Sequence, residues 1–113
     1  MQIIPKSPRQ GSSAKVTANF KDSSNGSAVI PASVTYSLLT VDGTIVNDLD
    51  AVPISPASSI EIWLTGDDLQ ILDEANEYEI RDILIEATYN NGAAVVPLKD
   101  VGRFTVLNLT GSY

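Results

Sequence analysis

Neither cysteine nor histidine occurs among the 113 residues. Without cysteine no disulfide can staple the fold, so its stability rests on packing and a reducing compartment does it no harm. The loss of both residues also removes the commonest activated nucleophiles and general bases. A serine or threonine activated by lysine is then the main route left to covalent catalysis. Paired-carboxylate hydrolysis is formally open to a chain with 14 acids, but it needs burial and perturbed pKa values, whereas acids on turns and strand faces are usually solvated. The chain is therefore read as non-enzymatic, with no catalytic residue and no cofactor. Long apolar runs are missing too. No stretch approaches the roughly 18 apolar residues of a membrane helix. The opening MQIIPKSPRQGSS holds only Ile3 and Ile4 before Pro5, too little for the apolar core of a signal peptide. These absences lead to the expectation of a protein made in the cytoplasm and not exported by a signal peptide.

Basic residues are scarce and unevenly placed. The net charge is −7, which disfavours nucleic acid and anionic membranes as partners, since both need a basic face. Lys6, Arg9, Lys15 and Lys21 give the first 21 residues four basic groups and no acid. The rest of the chain has three basic groups and all fourteen acids, and no basic residue lies between Lys21 and Arg81. A cationic front on an acidic body suits a segment that docks on another copy or on another acidic partner. The alternative is a segment lying on its own domain or free in solvent.

What is present in abundance is period-2 alternation. Residues 1–13 read as an extended N-terminal arm, because Pro5 and Pro8 forbid a regular helix and Gly11-Ser12-Ser13 has hinge composition. Residues 14–113 read as a single domain. Its first strand puts Val16, Ala18 and Phe20 on one face and Lys15, Thr17 and Asn19 on the other. A turn cluster spans Asp22 to Ser27. Ser33 to Val41 is a strand with Val34, Tyr36 and Leu38 inward, followed by Asp42-Gly43, a pair suited to a two-residue hairpin that returns along Thr44–Asn47. The stretch 48–58 has two prolines and no period, and is read as a crossing loop with at most one short edge strand. In residues 59–65, Ile60, Ile62 and Leu64 oppose Glu61, Trp63 and Thr65. Thr65-Gly66-Asp67-Asp68 has N-cap spacing for one helical turn over residues 67–72. The central strand carries Ile83, Ile85 and Ala87 on its core parity. Tyr78 and Ile80 fall on the opposite parity, so this strand either begins after Asp82 or bulges near Arg81-Asp82. Asn90-Asn91-Gly92 marks a further hairpin, Pro97 and Lys99–Gly102 a break, and Arg103–Leu109 the last strand.

Two groups of residues stand out as candidates. Asp67, Asp68, Asp73, Glu74 and Glu77 form an acidic cluster, but DDLQILDEANE lacks the alternating ligand spacing of a calcium loop, so it is read as a solvated, turn-capping stretch and no metal is expected. Trp63 lies on the polar parity of its strand, where it is either a surface aromatic that anchors an interface or stacks on a sugar, or is covered by another element.

Leu72 followed six residues later by Tyr78, ahead of the EIRDILIEA strand, resembles the tyrosine corner of immunoglobulin and fibronectin type III domains. In that arrangement Leu72 and Tyr78 would be the structural corner, with the tyrosine hydroxyl bonded back to the backbone. The resemblance implies an all-β, Ig-like or fibronectin type III-like β-sandwich of seven or eight antiparallel strands. Val16–Asp22, Pro31–Leu38 and Asp42-Gly43-Thr44 are further similar to small Ig-like domains of tailed-bacteriophage virion proteins: neck, tail-adaptor, baseplate and capsid-decoration subunits. This likeness implies a virion structural protein that assembles with copies of itself and with other virion proteins. Lys6, Arg9, Lys15 and Trp63 are the expected interface residues. A carbohydrate- or host-surface-binding module using Trp63 is the alternative.

Overall fold

A computed structural model describes residues 1–21, 26–90 and 95–109. Within them seven strands and one short 3-10 turn follow in order: β1 Gln2–Ile4, β2 Gly11–Asn19, β3 Ser33–Thr40, β4 Val52–Ile54, β5 Ser59–Gly66, the turn Asp67–Leu69, β6 Tyr78–Asn90 and β7 Val95–Leu107. They form two antiparallel sheets, β1-β2-β5 and β4-β3-β6-β7, packed as a sandwich. Most of the turn cluster at Asp22–Ser27 and the hairpin tip expected at Asn91-Gly92 lie outside the described residues.

The alternation seen in the sequence is what fills the interior. Ala14, Val16 and Ala18 of β2 and Ile60, Ile62 and Leu64 of β5 face Val34 and Leu38 of β3, Ile83, Ile85 and Ala87 of β6, and Phe104 and Val106 of β7, all of them buried. A strand pair with one face in a core must keep this register, because a one-residue slip would turn every apolar side chain outward.

Several elements differ from expectation, each for a physical reason. β6 runs unbroken from Tyr78 to Asn90 with no register shift. Its core parity continues back through Arg81 and Glu79, a charged pair occupying inward positions, so no bulge is needed. β7 is likewise one strand through Pro97 and Gly102, not a strand, a turn and a second strand. Proline is tolerated there because β7 is an edge strand. Gly102 suits the site because Ile3 and Met1 lie across its backbone: a Cβ at this position would meet Met1 Sδ and come within 2.9 Å of Ile3 Cδ1, so those side-chain ends would have to shift. After β3, Gly43 alone of the Asp42-Gly43 pair takes a positive φ (93°). The returning segment makes only an isolated bridge, Leu39 to Ile45, and the true neighbour of β3 is β4, inside the stretch read as a loop. The turn after β5 covers three residues with Gly66 at its N-cap. Thr65 provides no side-chain cap; its N–H donates to Asp68 Oδ2 at 3.0 Å.

The expected arm is part of the sandwich. Ile3 is buried between the sheets and pairs with Val16, while Pro8 is fully buried. Residues 6–10 leave the first sheet and run parallel to the end of β7, with Thr105 N–H donating to Lys6 O (3.0 Å), Leu107 N–H to Pro8 O (2.9 Å) and Gln10 N–H to Leu107 O (2.8 Å). Gly11-Ser12-Ser13, read as a hinge, opens β2 with a bulge, held by Ser12 N–H and Oγ donating to Arg9 O.

Candidate interaction surface

Three strands bring one row of side chains to the outer face of the smaller sheet. Ile4 on β1 stands opposite Lys15 on β2, and Lys15 opposite Trp63 on β5. Ile4 is 51% and Trp63 58% exposed, and Lys15 Nζ lies 6.0 Å from the Trp63 ring centroid. A cation at that distance steadies the ring by roughly 0.5–1 kcal/mol in an exposed setting. The same parity that drives Ile60, Ile62 and Leu64 into the core puts Trp63 outside. Lys15 and Trp63, two of the expected interface residues, are therefore neighbours. Lys6 and Arg9 are exposed elsewhere, along the β7 edge that their segment covers.

The edge beside this row is open. β5 pairs with β2 on one side and, among the described residues, with no strand on the other. Phe20 N–H donates to Ser58 O at 2.8 Å, so the hydrogen-bonded pairs of the β2–β5 ladder are those in phase with Ala18–Ile60 and Val16–Ile62. The backbone N–H and C=O groups of Ser59, Glu61, Trp63 and Thr65 consequently point away from β2. Thr65 N–H is taken by Asp68; the donors and acceptors of Glu61 and Trp63 face outward in the middle of the edge.

A second concavity, an open groove of about 630 Å³, lies at the end of the sandwich between the turn after β3 and the approach to β6. Val41, Leu72 and Tyr78 line it with half or more of their surface exposed. The tyrosine corner is therefore not formed. Tyr78 and Leu72 face solvent, and no hydrogen bond joins the Tyr78 hydroxyl to a described residue. Glu79 holds this corner instead. Its Oε1 accepts from Leu72 N–H (2.7 Å) and Arg81 Nη2 (2.6 Å), and its Oε2 from Asn76 Nδ2 (2.8 Å) and Asp73 N–H (3.3 Å). Arg81, 3% exposed, also donates to the carbonyls of Ile80 and Gln70, while its Nε has no partner. Asn108 closes the far side through Nδ2 to the carbonyls of Glu74 and Asn76. Burial pushes the Glu79 carboxyl up, but the Leu72, Asn76 and Arg81 hydrogen bonds and the Arg81 charge outweigh it, so its pKa lies below the ordinary glutamate value. Asp42, across the groove, is likewise held low by the hydroxyls of Thr40 and Thr44 and by Thr44 N–H. Both carboxylates accept several hydrogen bonds that favour their ionised form, which disfavours them as proton donors in acid catalysis.

The acidic cluster is dispersed among separate hydrogen bonds: Asp68 accepts from Asn47 and Thr65, Asp73 from Ala75 N–H, and Glu74 from Gln10. Among the described residues no three acids are grouped so as to hold a metal ion. Ser12-Ser13-Ala14-Lys15 has the Ser-x-x-Lys spacing that would align two side chains on a helix. On extended β2 the odd spacing separates Ser12 from Lys15 on the ladder, and Ser12 Oγ donates to Arg9 O at 2.6 Å.

No protein-family model, curated protein or solved structure matches the chain.

Proposed function

We propose that the protein is a non-enzymatic structural subunit of a bacteriophage virion, of the neck, tail-adaptor, baseplate or capsid-decoration kind, acting by protein–protein assembly. The observation that carries this reading is the β5 edge, unpaired among the described residues, with Trp63, Lys15 and Ile4 beside it. It offers a partner both main-chain hydrogen bonds and an apolar, aromatic anchor. The strand order supports an Ig-like or fibronectin type III-like arrangement: β1, β2 and β5 take the places of strands A, B and E, and β3, β6 and β7 those of C, F and G. β4 lies beside the C position, where an Ig constant-type domain would instead carry a strand D beside E. The absence of histidine and cysteine supports the non-enzymatic reading.

Antibody against the folded chain, applied to purified particles from cells that produce it, tests the virion assignment. Label fixed to particles is expected; label confined to free protein sinks it. A second reading is favoured by one feature, the exposed Trp63 ring, which suits stacking on a sugar. Binding on a glycan array that disappears in Trp63→Ala would put this reading ahead of the first.

A further inference from the structure

We propose that β5 pairs antiparallel with β5 of a second copy across a twofold axis at Ile62, joining the two small sheets into one six-stranded sheet, β1-β2-β5-β5-β2-β1. The inference rests on the assembly reading and names its partner.

Identical antiparallel edges are matched in length and in donor–acceptor order, so a twofold makes each copy the complement of the other. The outward backbone groups sit at Ser59, Glu61, Trp63 and Thr65, and any axis that pairs them must place two of these residues face to face. An axis at Glu61 would oppose two carboxylates, which is destabilising. An axis further along, at Trp63 or beyond, would draw Thr65, whose N–H is already bound to Asp68, toward the centre of the ladder. An axis at Ile62 sets Glu61 opposite Trp63 of the second copy and Ser59 opposite Thr65. The row across both copies becomes Ile4, Lys15, Trp63, Glu61, Thr17, Gln2. Lys15 reaches over the Trp63 ring toward the incoming Glu61 carboxylate. Within one copy neither Lys15 nor Glu61 makes an ion pair with a described residue. They are also the only charged side chains on the three strands of this sheet. A chain of net charge −7 repels its own copies, and this neutral sheet is where that repulsion is least.

The native chain has no cysteine, which permits a clean test of geometry. A Ser59→Cys chain and a Thr65→Cys chain, mixed and oxidised, are expected to form a mixed disulfide. Each alone should form none, because like positions are then several residues apart along the ladder and beyond the roughly 7 Å Cα separation a disulfide can span. Sedimentation equilibrium of the native chain should show a dimer. Glu61→Pro removes one outward N–H without touching the β2 ladder, and is expected to weaken that dimer at least about tenfold. A native chain that stays monomeric to millimolar concentration, or a dimer that gives no mixed disulfide, overturns the proposal. Particle labelling unaffected by either result would show that the assembly reading survives with a different partner.

Discussion

The two sheets treat their edges differently. In the four-stranded sheet β4 is three residues long and contains Pro53, and β7 carries Pro97, Lys99, Asp100 and Arg103. Its last stretch is covered by residues 6–10. Short length, proline, charge and a covering segment are the devices by which natural sheets discourage edge-to-edge pairing. In the three-stranded sheet β1 is again three residues long and ends at Pro5, yet β5 presents eight residues with no proline, no lysine and one charge. Three edges are blunted in this way, and among the described residues the fourth is bare; the proposed pairing of β5 rests on that difference.

The four-stranded sheet also carries the buried polar anchor, and the largest predicted effect lies there. Glu79→Ala would leave Arg81 charged and 3% exposed with no carboxylate, and would hand the Leu72 and Asp73 N–H groups over to water. Breaking a buried pair in this way costs about 3–5 kcal/mol, measurable by urea denaturation. Arg81→Leu should cost less, since it removes the buried charge along with the partner and Glu79 keeps its backbone donors. A reversed ranking would break the account of the corner. The same group sets an acid limit. Because the folded carboxyl titrates below its unfolded value of about 4.3, its contribution is complete above that pH. It drains away as pH falls through the lower folded value. Glu79→Gln should therefore lower stability at neutral pH and flatten its loss in acid.

A second substitution turns a protected edge into a bare one. Gly102→Val would place side-chain atoms where Ile3 and Met1 now lie, an overpacking worth about 1–3 kcal/mol. Met1 and Ile3 approach with the ends of flexible side chains, so Gly102→Ala should be much milder. When the first strand is displaced, the edge of β2 opens and the hold on residues 6–10 slackens. The valine variant is thus expected to aggregate on warming at a lower temperature than Glu61→Pro, which closes an edge. Light scattering compares them. For the same reason, removal of residues 1–12 is expected to destabilise this fold.

How far these features were legible follows from what marks them. Val16, Ala18, Ile60, Ile62, Leu64, Ile83 and Ile85 announce their burial by alternation alone; the same rule puts Trp63 on the opposite face but leaves open whether another element covers it. Glu79 and Arg81 share that parity, but a pattern that sorts residues by polarity turns them outward: their two-residue spacing is local, whereas the donors from Leu72, Asp73 and Asn76 that hold Glu79 at the corner come from a separate segment. Pro97 and Gly102 read as breaks, since sequence shows their local preference and not that one lies on an edge and the other beneath Ile3. Lys15 was recognisable as a surface residue, and Trp63 as a residue of the non-core face. Their contact depends on the β2–β5 register, which no local signal fixes across more than 40 intervening residues. The corner read from Leu72 and Tyr78 lies in the right place, between the 3-10 turn and β6, but is built from Glu79, Arg81 and Asn108.

The smallest effect is predicted at the approach to β4, where the backbone itself is strained. Asn47, Asp48 and Ala51 all adopt positive φ, at 54°, 57° and 50°. Asn and Asp tolerate that region through local hydrogen bonds, whereas alanine there brings Cβ against its own carbonyl, at about 1 kcal/mol. The conformation persists because Ala51 N–H donates to Ser37 Oγ at 2.9 Å and Leu38 N–H to Leu49 O at 2.9 Å, bonds that bring β4 against β3. Ala51→Gly relieves the steric cost but gives the unfolded chain more freedom, worth about 0.4–1 kcal/mol in the other direction. A net gain of at most about 0.5 kcal/mol is expected, with dimerisation through β5 unchanged because β4 lies on the other sheet. A loss of stability above about 1 kcal/mol in thermal unfolding would mean that Ala51 is held by its methyl contacts and that the entry to this edge is not strained.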